Sequence, residues 1–385
     1  MSYRYTRAAC CGAYVVQAVV VIYPSLLFLV FRDSFRISAG WISLLICLNF
    51  GIQLGADLMT AGLAERYGYR KCMLASHGLV TAGLWLLARV LGEPQPTAAM
   101  LGAAIGVCAF GGGMLEVLIG AVTKDSVEEG VTGALSLLHS FYCWGCVIVI
   151  VTATGFVWLF GKEKWIFLTV FLGCIPLLNG LLFCFLPLPE AAKRPEERER
   201  GNLRQWAAYF GVMLCAGAAE HTVSQWASTI AELELGLPKQ IGDLAGPLAF
   251  AALMGTGRLL YGIYGDRLKL GGTLRAACFG CAAGYCLIAF GTVPAAVLGF
   301  GMVGLFVSVL WPAACAMAAE RAPVGTAALF SFLAIFGDIG CAAGPAVVGF
   351  LWEHRELSLR GTVGLGAVYP LAAWCILSSC MKKKK

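Results

Sequence analysis

Two side chains in this sequence have the type and spacing to trade a proton inside an apolar environment. Glu116 stands eight residues before Lys124, and His139 stands seven residues after Thr132. At 1.5 Å per helical residue, they lie about 12 Å and about 10 Å from the same boundary. The apolar runs that carry them are consecutive and therefore antiparallel, so the two side chains are expected to meet. Burial opposes the charged form of each and pairing favours it. A pair balanced in this way gains and loses a proton near neutral pH. The plainer alternative is a polar pair that only ties two helices.

A second group suits hydrogen bonding to a polyol. Glu220 lies sixteen residues past Arg204, about 24 Å along a helix and so beyond the midplane of a bilayer. Gln225 and Trp226 follow it, offering an amide and a flat ring. Trp226 is also near the expected helix end, where aromatic anchors sit. Asn49 and Gln53 are one turn apart on one helix face, and Gln17, Tyr142 and Trp311 are further candidate binding residues. Asp338, about thirteen residues into its run, is a lone acid suited to a proton or a coupling cation.

Other chemistries find no support. Cys143-Trp-Gly-Cys146 and Cys278-Phe-Gly-Cys281 match C-x-x-C but fall within apolar runs, with no second ligand pair at zinc spacing. Gly299-Phe-Gly-Met-Val-Gly304 has the spacing of a dinucleotide turn but no strand before it. No catalytic residues, metal site or cofactor are expected, and no nucleic-acid partner. The chain is not read as an enzyme.

The elements that must hold these residues are set by composition. Of the 385 residues 59% are apolar and 13% are charged, against about a quarter charged in soluble domains. Apolar runs long enough to cross about 30 Å of hydrocarbon recur along the chain. Twelve are predicted: residues 9–31, 40–62, 72–91, 98–122, 132–160, 165–186, 205–227, 241–263, 272–290, 294–319, 326–352 and 361–381. With both termini cytoplasmic, nineteen Lys and Arg lie on the inner side and eight on the outer, as basic loops prefer. The hydrophilic stretch Pro187–Asn202 divides the runs into two sets of six. The expected organisation is an N-terminal bundle over 1–187, a cytoplasmic linker over 188–203 and a C-terminal bundle over 204–385.

The two sets echo each other. Ala61-Gly-Leu-Ala-Glu-Arg-Tyr-Gly-Tyr-Arg-Lys71 joins spans two and three, and Gly257–Lys269 joins spans eight and nine with a second carboxylate–arginine pair, Asp266-Arg267. Gly145 in span five aligns with Gly340 in span eleven, which places Cys143 over Asp338. Parallel six-helix repeats with a site at the midplane are a known transporter plan.

On these residues the chain resembles the major facilitator superfamily. Leu63, Arg66 and Gly68 follow the family's loop pattern G-x-L-x-D-R-x-G-R-[KR], and Arg70 and Lys71 supply its basic end after Tyr69; Ala61 and Glu65 replace its glycine and aspartate, while Gly262 and Asp266 restore them in the second copy. Gly111-Gly-Gly-Met-Leu-Glu116, Leu137-Leu-His-Ser-Phe141, Gly217-Ala-Ala-Glu220 and Trp311-Pro312 resemble the fucose–proton symporter branch. That branch uses an acid in span one and a glutamate in span four. Glu116 matches the second, but span one offers only Gln17.

The resemblance implies an all-α membrane protein of twelve transmembrane helices in two pseudo-symmetric six-helix bundles. It implies alternating access, with proton-coupled symport of a small neutral polar solute such as a sugar, and with sodium as the other candidate ion. Glu65, Arg66, Arg70, Arg258, Asp266 and Arg267 are expected to latch a cytoplasmic gate. Glu116, His139 and Asp338 are the candidates for proton coupling. The protein is expected to act as a monomer in the cell membrane, the inner membrane if the source is Gram-negative. The rivals are a proton-driven drug or metabolite exporter and a membrane sensor or scaffold that binds without translocating.

Overall fold

The computed structural model describes residues 3–127, 131–190, 203–264, 270–321, 326–354 and 357–382. Among them no strand occurs. Two compact units are present, Met1–Lys193 and Arg194–Lys385. The first holds α1 (Arg4–Leu26), α2 (Ala39–Tyr67), α3 (Tyr69–Leu91), α4 (Ala98–Asp125), α5 (Val131–Phe160) and α6 (Trp165–Phe185). The second holds α7 (Leu203–Leu233), α8 (Lys239–Asp243), α9 (Ala249–Tyr264), α10 (Leu270–Phe290), α11 (Val293–Arg321), α12 (Thr326–His354), α13 (Leu359–Gly364) and α14 (Val368–Lys382). A π turn at Leu244–Leu248 joins α8 to α9, and a 3-10 turn at Leu365–Ala367 joins α13 to α14, so these four helices make two spans.

Each of the twelve runs has become a helical span. Among the described residues, eleven are long and apolar enough to cross a bilayer by length and composition. The twelfth is α7, whose 31 residues carry Glu220, His221, Thr222, Ser224 and Gln225 in a row of buried polar groups. Polar residues in a bilayer are costly, so each of these groups needs a partner or a task.

The two units use one packing plan. In the first, α1 packs on α5, α2 on α4 and α3 on α4; in the second, α7 packs on α12, α9 on α11 and α10 on α11. Counted as spans, each pair is displaced by six. Gly145 and Gly340 show why the repeat keeps glycine there. A Cβ at Gly145 would stand 3.0 Å from Val15 Cα of α1, and one at Gly340 would stand 2.9 Å from Ala218 N of α7. Backbones meet at both places: the approach at Gly340 leaves no room for a Cβ, and that at Gly145 leaves very little.

Gly68 ends α2 and starts α3 with φ 81°, a left-handed conformation that favours glycine. It lets the charged loop reverse direction within one residue. Asp266 and Arg267 of the second loop lie outside the described residues.

Candidate functional site

In the first unit, α4 is the meeting point. Gly111, Gly112 and Gly113 are successive residues and so point about 100° apart around the helix. Added Cβ atoms would stand 2.7 Å from the Ser76 carbonyl of α3, 2.8 Å from Gln17 Oε1 of α1 and 2.5 Å from the Gln53 carbonyl of α2. Three helices therefore close on α4 at one level. Glu116, one turn further on, shares the face of Gly112 and Gly113.

The hydrogen bonds at that level join three helices. Gln17 Nε2 donates to Gln53 Oε1 at 2.7 Å and to Glu116 Oε2 at 3.1 Å. Gln17 and Gln53 are buried at 2% and 5% exposure, whereas Glu116 is exposed. Asn49 is buried one turn from Gln53. Three amide atoms here have no hydrogen-bond partner: Gln17 Oε1, Gln53 Nε2 and Asn49 Oδ1. A buried polar atom left unpaired costs about 1–3 kcal/mol.

His139 of α5 is also reached from α1, since its Nδ1 lies 3.0 Å from the Tyr14 hydroxyl. Tyr142 stands edge-on to Tyr14 with ring centroids 6.3 Å apart. Both carriers of the expected proton pair are thus bonded to one face of α1, where Tyr14 and Gln17 are three residues apart. Sequence reading missed Tyr14, although its i, i+3 spacing to Gln17 was visible.

The second unit arranges its acid differently. Arg258 Nη2 contacts both Glu220 oxygens, at 3.0 Å and 3.2 Å. Glu220 thus pairs with a residue expected to serve the cytoplasmic gate. Thirty-one residues of α7 span about 46 Å, well over the hydrocarbon thickness. Glu220 sits near the middle of this helix. Gln225 is buried beside it in sequence. Trp311 packs its ring tip against Gly337, next to the half-buried Asp338.

Trp226 is also corrected. α7 runs on to Leu233, so Trp226 is not at a helix end. It is fully buried, donates Nε1 to the Pro345 carbonyl at 2.9 Å and meets Trp352 edge-on. Its ring offers no open face to a solute in this structure. A further buried cluster escaped sequence reading: Lys239 Nζ donates to Ser228 Oγ at 2.7 Å and pairs with Asp243 at 2.9 Å, while Ser228 donates to Asp243 at 2.5 Å.

Of the expected gate residues, Arg70 has a defined task. Its Nη1 donates to the Phe183 and Cys184 carbonyls at 2.6 Å and 2.5 Å, and its Nη2 to the Leu186 carbonyl at 2.8 Å. It satisfies and neutralises the C-terminal end of α6, where carbonyls lack helical partners. Tyr69 donates to Asp125 at the end of α4 at 2.7 Å. Glu65 and Arg66 are exposed, and Arg66 lies over the Tyr67 ring.

Comparison with known proteins agrees with this architecture. An uncharacterised MFS-type transporter of Yersinia pestis is 25% identical over 340 residues, covering 84% of this chain and 82% of its own. The nucleoside transporter NupG superposes with a TM-score of 0.78 at 12% identity, covering 97% of this chain and 99% of its own. The Escherichia coli fucose:proton symporter FucP gives a TM-score of 0.66 at 16% identity, with 98% of each chain covered. A bacterial homologue of the human lysosomal transporter Spinster gives 0.75 at 14% identity, covering 99% of this chain and 97% of its own. At such identities the likeness is one of fold. The decisive match is to the family model, which covers residues 8–345: the chain belongs to the Major Facilitator Superfamily of membrane transporters.

Proposed function

We propose that the protein imports a small neutral polar solute, a sugar or a nucleoside-like sugar derivative, in symport with protons by alternating access. The observation that carries this reading is the Gln17–Gln53–Glu116 group with its unpaired amide atoms. Hydroxyl groups of a solute supply what those atoms lack, and an exposed carboxylate supplies a proton acceptor. Glu116 is the coupling acid, with His139 beside α1 and Asp338 in the second unit as further coupling candidates. Arg258 is matched by Glu220, which argues against a strongly anionic solute. The names of the structural neighbours, a nucleoside transporter and a fucose:proton symporter, fit this substrate class.

The test is uptake of labelled fucose and uridine into proteoliposomes, with and without an inward proton gradient. Accumulation that needs the gradient is expected, and Glu116→Gln should retain exchange but lose accumulation. Accumulation by Glu116→Gln equal to the unaltered protein would remove Glu116 from coupling. Binding of either solute with no flux would sink the symport reading.

A further inference from the structure

The carboxylate of Glu116, the amide of Gln17 and the amide of Gln53 form an ordered series across three helices. Ionised carboxylate oxygens only accept hydrogen bonds, whereas an amide has one accepting and one donating end. Gln17 must therefore turn Nε2 toward Glu116, and its second N–H meets Gln53 Oε1. That forces Gln53 to direct its Nε2 away from the relay. The two atoms left unpaired, Gln17 Oε1 and Gln53 Nε2, are those this ordering strands.

We infer that Gln17 and Gln53 are a relay that reports the protonation state of Glu116 as hydrogen-bond polarity at Gln53. A proton from water binds a Glu116 oxygen and makes the carboxyl a donor. The favoured arrangement then has Gln17 reversed, with Oε1 accepting from Glu116. Gln53 reverses in turn, so that its Nε2 donates to the second lone pair of Gln17 Oε1. Both hydrogen bonds are kept and no charge moves beyond Glu116. The far atom of Gln53 changes from a donor to an acceptor beside Asn49. A solute with a fixed donor or acceptor there binds one protonation state better than the other, and differential affinity is what couples two ligands. The use of the relay rests on the proposed symport; its chemistry does not.

Of the helices packed against α4, α1 brings Tyr14, α2 brings Asp57, α3 brings His77 and α5 brings His139. Tyr14 and His139 hold each other, and His77 is bonded to the Met73 carbonyl and Asn179. Glu116→Gln separates the signal of Glu116 from all four.

The experiment is infrared difference spectroscopy of the purified full-length protein during pH titration, with glutamine labelled at its side-chain carbonyl by carbon-13. It needs neither solute nor flux. The expected result is a carboxyl band that grows as pH falls, tracked by a labelled amide band with the same midpoint. Both vanish in Glu116→Gln. Gln17→Leu keeps the carboxyl band and loses the amide band, because Gln53 is cut off. Gln53→Leu halves the amide band, leaving one amide of two. That order distinguishes a relay from simple packing. A carboxyl band assigned to Glu116 with no matching amide change overturns the relay, as does equal loss of the amide band in both leucine variants. If the spectra behave as expected but proteoliposomes show no proton-dependent uptake, the symport reading fails and the relay stands.

Discussion

The two units place their acids in opposite circumstances. In the second, Glu220 is bound through both oxygens to Arg258, and Lys239 is enclosed by Asp243 and Ser228. Charge answers charge in both groups. In the first, Glu116 is exposed and accepts a hydrogen bond from the Gln17 amide, in a group that holds three unpaired amide atoms. One packing plan thus carries a closed electrostatic pair in one copy and open hydrogen-bonding capacity in the other. Open capacity is where a ligand gains free energy, while a closed pair holds shape. On the proposed function, recognition falls chiefly to the first unit.

The sharpest way to break this contrast is to remove one member of the closed pair. Losing one partner of a buried ion pair costs about 3–5 kcal/mol, because the other charge stays buried alone. Arg258→Met should therefore lower the thermal unfolding temperature in nanodiscs markedly, and the double variant Glu220→Gln, Arg258→Met should recover most of the loss. Glu116→Gln should cost clearly less than Arg258→Met, since the side chain is exposed and the new amide can still hydrogen-bond to Gln17. Equal melting temperatures for Arg258→Met and Glu116→Gln would erase the distinction.

A smaller effect is expected where helices converge on the open group. Gly113→Ala forces a methyl to within 2.5 Å of the Gln53 carbonyl, which must move with α2. Overpacking of this kind costs about 1–3 kcal/mol. Gly120 on the same helix has nothing within 4 Å of an added Cβ. Gly120→Ala should be stabilising by about 0.5–1 kcal/mol, through helix preference alone. Chemical or thermal unfolding of the two variants checks the sign of each. A neutral Gly113→Ala would mean that α2 does not rest on α4 at the level of Gln53.

How far the sequence alone led follows the same physical divide. Span positions were legible because hydrophobic length is a local property; α4 was placed within three residues at either end. The repeat was legible because Gly145 and Gly340 sit where backbones touch, which leaves a residue-type trace. Partners were not legible. Nothing local in α1 says that Gln17 reaches residues 36 and 99 positions away, or that Arg258 reaches back 38 positions to Glu220. Trp226 was misplaced because its helix continues seven residues beyond it.

The finest test asks whether the open group matters for binding more than for folding. Gln53→Leu removes an unpaired buried Nε2, which relieves about 1–3 kcal/mol, and leaves one N–H of the buried Gln17 without its acceptor, which costs about the same. The replacement is apolar and of similar size, so the two changes nearly cancel. Stability should shift by no more than about 1 kcal/mol in either direction. Solute uptake should nevertheless fall at least about tenfold, the effect of losing about 1.4 kcal/mol of binding. Such a split between melting temperature and uptake has no counterpart in the second unit, where Glu220→Leu should damage both by stranding Arg258. If Gln53→Leu instead unfolds the protein, the amides of the first unit are structural after all, and the unpaired atoms mark strain rather than a place for solute.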